Sequence, residues 1–319
     1  MEILGKRIRN GARNYLEMEV ASLYTRARIE IPVIVHKARK PGPTLLVISG
    51  IHGDEINGIE INRRLLFERS LIPETGCVIH IPIANVMAFI NLERTFVDGR
   101  DLNRSFPGSK KGSLAAQVGY LLSTRILPHA DFVVDLHTGA EDRHNIPQIR
   151  FDESQNQNAQ LAKAFNAPFT LLQPNPPQGS MRKLLSKRGV PNVIYEGGRS
   201  RSIDEDVVEV GTEGVLNVAA MLGIIKKKRT FSSGRSIALA ESHWVRANSS
   251  GMFQPLASNG AFVEKGELLG YINGPYAQYQ KKILTRKAGY IICMNEIPVV
   301  HLGDALFHIG ETQNGETQG

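Results

Sequence analysis

His52 and Glu55 stand three residues apart in Ile48-Ser-Gly-Ile-His-Gly-Asp-Glu-Ile-Asn-Gly58. At that spacing one helical turn aims both side chains the same way. An imidazole and a carboxylate so placed suit zinc, and catalytic zinc sites often join two His, one Glu and an open position for water. Alone, His-x-x-Glu recurs by chance, and the pair would serve equally as a cap and ion pair in a surface loop. Two further segments shift that balance. Phe132-Val-Val-Asp-Leu-His137 ends an apolar run on a His, and Asn192-Val-Ile-Tyr-Glu196 ends another on a Glu. Three run ends thus offer His52, Glu55 and His137 as ligands and Glu196 as a free carboxylate, the set for metal-assisted hydrolysis.

These residues need elements that bring them to one rim. The pattern predicts strands over 44–49, 77–82, 132–137, 169–172 and 192–195, with helices over 55–67, 113–127 and 157–165 and another ending near Gly223. Unbroken apolar strands between helices indicate a sheet covered on both faces. The fold class is therefore α/β, with a mostly parallel or mixed sheet flanked by helices, and such sheets bind ligands outside the carboxyl ends of their strands. Lys226-Lys-Lys-Arg229 and the small polar residues after it mark a boundary, and short Gly-punctuated strands follow. The expected division is a catalytic domain over 1–230 and a small barrel-sandwich-like β domain over 231–319.

The loop Asp98-Gly-Arg-Asp-Leu-Asn-Arg-Ser-Phe-Pro-Gly108 holds Arg100, Asn103 and Arg104. A guanidinium fork grips a carboxylate by two hydrogen bonds, so the loop suits a substrate-anion clamp; the alternative is a solvated loop with its arginines paired to Asp98 and Asp101. Asp135, two residues before His137, shares its strand face. It would orient a ligand imidazole from behind, with Asp54 as the alternative for that task; either would serve equally as a strand-end or N-cap carboxylate.

Together Gly50-Ile-His-Gly-Asp-Glu55, Asp101-Leu-Asn-Arg104, Asp135-Leu-His137 and Glu196-Gly-Gly resemble the succinylglutamate desuccinylase/aspartoacylase family, within the zinc carboxypeptidase fold. The resemblance spans Pro32 to Gly223 in the family's order. It implies one zinc per chain on His52, Glu55 and His137, with Glu196 as general base and acid for a zinc-activated water. It also implies substrate binding by Asn103 and Arg104. A second substrate arginine matches Arg182, with a short insertion, and an arginine before Asp-Leu-Asn-Arg matches Arg94 or Arg100. The implied activity is cleavage of the amide bond of a small anionic N-acyl amino acid. A carboxypeptidase for short peptides and a non-catalytic anion-binding module are the rival readings.

With 319 residues, 42% hydrophobic and 22% charged, the chain is not disordered, collagen-like or coiled-coil. The net charge of +7 comes without a dense basic block interleaved with aromatics, so no nucleic-acid partner is expected. Cys77 and Cys293 have no ligand or disulfide spacing and read as buried thiols. The N-terminus lacks an apolar signal core and the longest apolar stretch, Val215 to Ile225, is too short for a bilayer, which predicts a cytoplasmic protein without a membrane partner. Gly260-Ala-Phe-Val-Glu-Lys-Gly-Glu-Leu-Leu-Gly270 resembles half of a biotinyl/lipoyl-like hammerhead, but the hairpin Asn273 to Gln280 lacks the carrier lysine. The C-terminal region is therefore expected to wall the substrate entrance or to join subunits of a homo-oligomer.

Overall fold

The structure, a computed structural model, describes residues 1–22, 26, 28–67, 71–140, 143–226 and 236–312. Strands β1 (Glu2–Ile3) and β2 (Lys6–Arg7) form a small hairpin. Next come β3 (Ala12–Ser22), β4 (Arg28–Lys37), β5 (Lys40–Ser49), α1 (Ile56–Phe67), β6 (Thr75–Ile81) and α2 (Val86–Asn91). The chain continues through α3 (Leu114–Leu121), β7 (Phe132–Gly139), β8 (Arg143–Phe151), α4 (Asn156–Phe165), β9 (Phe169–Leu172), α5 (Met181–Arg188), β10 (Asn192–Arg199) and α6 (Glu205–Met221).

The sheet is mixed. Strands β6, β5, β7 and β10 lie side by side and parallel, while β4 and β8 flank them antiparallel. Within β5, Leu46 and Ile48 face one core with α3 and α5, whereas Leu45 and Val47 face another with α1, α4 and α6. Burial on both faces explains why this strand reads as an unbroken apolar run. The edge strand β3 instead alternates: Leu16 and Met18 point inward while Tyr15, Glu17 and Glu19 are exposed.

The expected helix over 113–127 starts at the Ser113 cap but ends as α-helix at Leu121, passing into a π turn over Leu122–Ile126. Pro128 follows, and without an N–H it cannot extend a regular helix. Strand β8 and helix α5 lie outside the elements the pattern predicted. Cys77 and Cys293 are buried free thiols. Met181 is buried, whereas Met221 and Met252 are exposed.

The patterned boundary around 227–235 falls outside the described residues. Beyond it run β11 (Ile237–Leu239), β12 (Glu241–Arg246), β13 (Gly251–Pro255), β14 (Phe262–Val263), β15 (Leu268–Asn273), β16 (Gln280–Leu284), β17 (Gly289–Asn295), β18 (Val299–Val300) and β19 (Ala305–Glu311). These strands are antiparallel to one another wherever they pair. Their own core centres on Phe253, Leu269, Ile272 and Phe307. The large sheet nevertheless continues into them, because β17 pairs with β8 and β11 with β9. No described helix is long and apolar enough to cross a membrane.

Candidate active site

After β5, Gly50 turns the chain with φ +63°, and the segment 51–55 leads into α1. Gly53 is required there, since a Cβ would overlap the Ala88 carbonyl carbon in α2. The turn leaves His52 and Glu55 buried beside His137 at the end of β7. One ligand atom from each lies within 4.8 Å of the others. Glu55 bridges the imidazoles: Oε1 is 2.6 Å from His52 Nδ1 and Oε2 is 2.8 Å from His137 Nδ1. Both rings therefore turn Nδ1 inward. Behind them, His52 Nε2 is 3.2 Å from Asp101 Oδ1, and His137 Nε2 is 3.0 Å from Asp135 Oδ2.

The electrostatics follow from this crowding. Burial pushes the Glu55 carboxyl up, but the two imidazoles outweigh it and hold it well below the usual range. Burial likewise opposes charge on His137, and Asp135 and Glu55 overcome it, raising that imidazole well above its ordinary value. Two Nδ1 atoms and a carboxylate converging in a buried pocket, each ring backed by a carboxylate, is a donor set that fits a zinc ion.

The remaining expected residues divide. Asn103 and Arg104 sit in a short 3₁₀ turn capped by Asp101, whose Oδ1 accepts from Asn103 N. Asn103 Oδ1 accepts from Met181 N at 3.0 Å, tying the loop to the start of α5, and Arg104 lines the cavity. Arg182, in the first turn of α5, is only 3% exposed. Its Nη2 donates to Gln173 Oε1, while Nε and Nη1 are buried without a hydrogen-bond partner. Burial, reinforced by nearby Arg150, lowers its pKa to about 10. Arg94 reaches the cluster, with Nη1 3.2 Å from Glu55 Oε1 and Nη2 3.1 Å from Asp101 Oδ2. Arg100 does not: it is largely exposed, 3.6 Å from Asp98, and outside the cavity. Asp54 Oδ1 is buried without a partner, and it is Asp101 that reaches His52.

Glu196 ends its apolar run in β10 directly beside His137, its register partner in β7. Two residues that no sequence motif marked hold it. Arg150 Nη1 donates to Oε1 at 3.2 Å, and Asn145 Nδ2 donates to Oε2 at 2.9 Å. The only signal for them is a strand in which the polar residues Arg143, His144, Asn145, Gln148 and Arg150 interleave with Ile146, Pro147, Ile149 and Phe151. The cavity enclosed by these groups measures about 280 Å³, and the C-terminal strands contribute Trp244 and Cys293 to its wall. The Trp244 ring stacks on His308 at 4.3 Å, with the Arg143 guanidinium 5.6 Å from its centre.

The chain is similar to several known proteins. Residues 41–222 match the succinylglutamate desuccinylase/aspartoacylase catalytic domain. An N-alpha-acetyl-L-2,4-diaminobutyric acid deacetylase of Halomonas elongata is 37% identical over 150 residues, covering 45% of this chain and 44% of that protein. The chain thus matches less than half the length of that relative. A succinylglutamate desuccinylase/aspartoacylase of Rhodobacter sphaeroides superposes with a TM-score of 0.86 at 27% identity, over 96% of this chain and 97% of that one. The product-bound ectoine utilization protein EutE (DoeB) of Ruegeria pomeroyi superposes with a TM-score of 0.86 at 26% identity, over 97% and 98% of the two chains.

Proposed function

This chain belongs to the succinylglutamate desuccinylase/aspartoacylase family, and on that premise we propose that it is a zinc-dependent hydrolase of small anionic N-acyl amino acids. One observation carries the reading. The His52–Glu55–His137 cluster and Glu196 share a cavity with five arginines, among them Arg104 and Arg182, the latter with two unpaired buried donor atoms. In this reading His52, Glu55 and His137 hold one zinc ion, which supplies Lewis acidity and makes water nucleophilic at neutral pH. Glu196 accepts the proton of the attacking water and returns one to the leaving amine. Arg104 and Arg182 bind substrate carboxylates as planar forks, and the Asn103 amide adds a hydrogen bond. Arg94, beside Glu55, offers donors to the oxygen that gains negative charge. Asp101 and Asp135 fix the two imidazoles in orientation.

A cavity of about 280 Å³ lies at the small end of ligand sites and favours an N-acyl amino acid over a peptide. Metal analysis followed by a panel of N-acyl amino acids tests the proposal. The expected result is about one zinc per chain and release of the acyl acid from an anionic substrate. Turnover of short peptides alone would replace the reading with a carboxypeptidase. Binding of a polyanion without any hydrolysis would replace it with a non-catalytic module.

A further inference from the structure

Strand β8 grips both oxygens of Glu196, and its own support comes from the C-terminal strands. It runs antiparallel to β10, with Gln148 opposite Glu196 and Arg150 opposite Ile194. Arg150 is thereby the diagonal neighbour of Glu196 on one face, within reach of a long side chain. Asn145 approaches from the other side, where the register shifts between Glu196 and Gly198. Gln148 holds Arg150 in turn: its Oε1 accepts from Arg150 Nε at 3.2 Å. The Gln148 Nε2 donates to Ile292 O on β17 at 3.0 Å. A continuous path of hydrogen bonds therefore runs from β17 through Gln148 and Arg150 to Glu196. Strand pairing of Asn145 with Cys293 adds a second tie between the same strands.

We infer that Arg150, seconded by Asn145, is a positioning residue that holds the Glu196 carboxylate aimed into the cavity. The inference rests on the reading of Glu196 as the proton carrier. A carboxylate has about four acceptor sites, so two donors fix its plane and leave lone pairs for a proton. Arg150 differs here from Arg182, whose unpaired donors await an anion from outside; Arg150 already has its anion.

Steady-state kinetics on a double-mutant cycle tests this. Arg150→Met is expected to lower kcat about 100-fold with KM changed less than about threefold, and Arg150→Lys to recover roughly tenfold of that loss. In a Glu196→Gln background, adding Arg150→Met should change the residual kcat by less than about twofold, because a residue acting through Glu196 has nothing left to act on. An unchanged kcat in Arg150→Met, a loss confined to KM, or additive losses in the double variant would each overturn the inference. Should the Met variant fail to fold, the same cycle run with Arg150→Lys decides, with an expected drop in kcat of about tenfold that vanishes in the Glu196→Gln background. Wild-type turnover by Glu196→Gln alone would instead sink the proposed function. An inactive Glu196→Gln beside a fully active Arg150→Met removes only the role of Arg150.

Discussion

The apolar runs of β5, β7 and β10 lead up to the cavity and close beside it, whereas β8 and the C-terminal strands line it with residues spread along their lengths. The first group places His137 and Glu196 as register partners on adjacent parallel strands, with His52 and Glu55 just past the end of a third. The second supplies Arg143, Asn145 and Arg150 from β8, Trp244 from β12 and Cys293 from β17. A strand end gives one residue a fixed position and an open side toward ligand. A strand side gives several residues that brace and enclose. The groups proposed for chemistry and the groups that hold or wall them thus arrive on differently connected parts of one sheet.

The sharpest way to break this division is at a strand end. His137→Ala should lose most of its zinc and at least about 1,000-fold in turnover, since a site built on three ligands does not survive the loss of one. Circular dichroism should show the fold retained. Full zinc occupancy in that variant would take His137 out of the ligand set.

A smaller effect is expected from the anion clamp. Arg104→Lys keeps the charge and loses the planar fork. Its kcat/KM on an anionic substrate should fall about 10- to 100-fold, or roughly 1.4–2.8 kcal/mol. On the corresponding neutral amide the loss should be much smaller. Equal losses on both substrates would make Arg104 a structural residue.

Each part of the sheet also buries one imidazole that resists charging. Burial, aided by nearby cations, pushes His80 on β6 and His308 on β19 down to about 3. In the unfolded chain both titrate near 6.5. Below that pH the unfolded state binds protons that the folded state refuses, so stability falls as pH drops from 6.5 toward 3. The slope is at most about 1.4 kcal/mol per pH unit for each group. Denaturation series should therefore show a flatter acid limb for His80→Gln and for His308→Gln. An unaltered slope in both would mean that neither imidazole controls acid stability.

The mildest change belongs to the wall. Trp244→Ala should raise KM about threefold and leave kcat within about twofold, because its ring lines the cavity wall and stands outside the proposed proton path. Trp244 is the single tryptophan of the chain, so fluorescence titration of the wild type reads the same event directly. A drop in kcat as large as the rise in KM would join this wall to the chemistry and blur the division.

The amino-acid sequence determined the parallel core and its ends. Apolar runs closing on His137 and Glu196, with His52 and Glu55 past a third, are local patterns, and a parallel sheet covered on both faces turns such patterns into a common rim. Tertiary structure alone decided what stands around them. Asp54 adjoins Glu55 in sequence, yet Asp101 reaches His52 because its loop folds back over the cluster. Of two arginines near that loop, only Arg94 turns inward. Arg150 and Asn145 carry no motif, since their partner and register depend on antiparallel pairing with a strand more than 40 residues away. Trp244 and Cys293 enter the cavity only because β17 pairs with β8 and extends the same sheet. Strand ends are specified by local pattern, but neighbours across a sheet are specified by pairing over long sequence distances, and no short stretch of sequence contains that information.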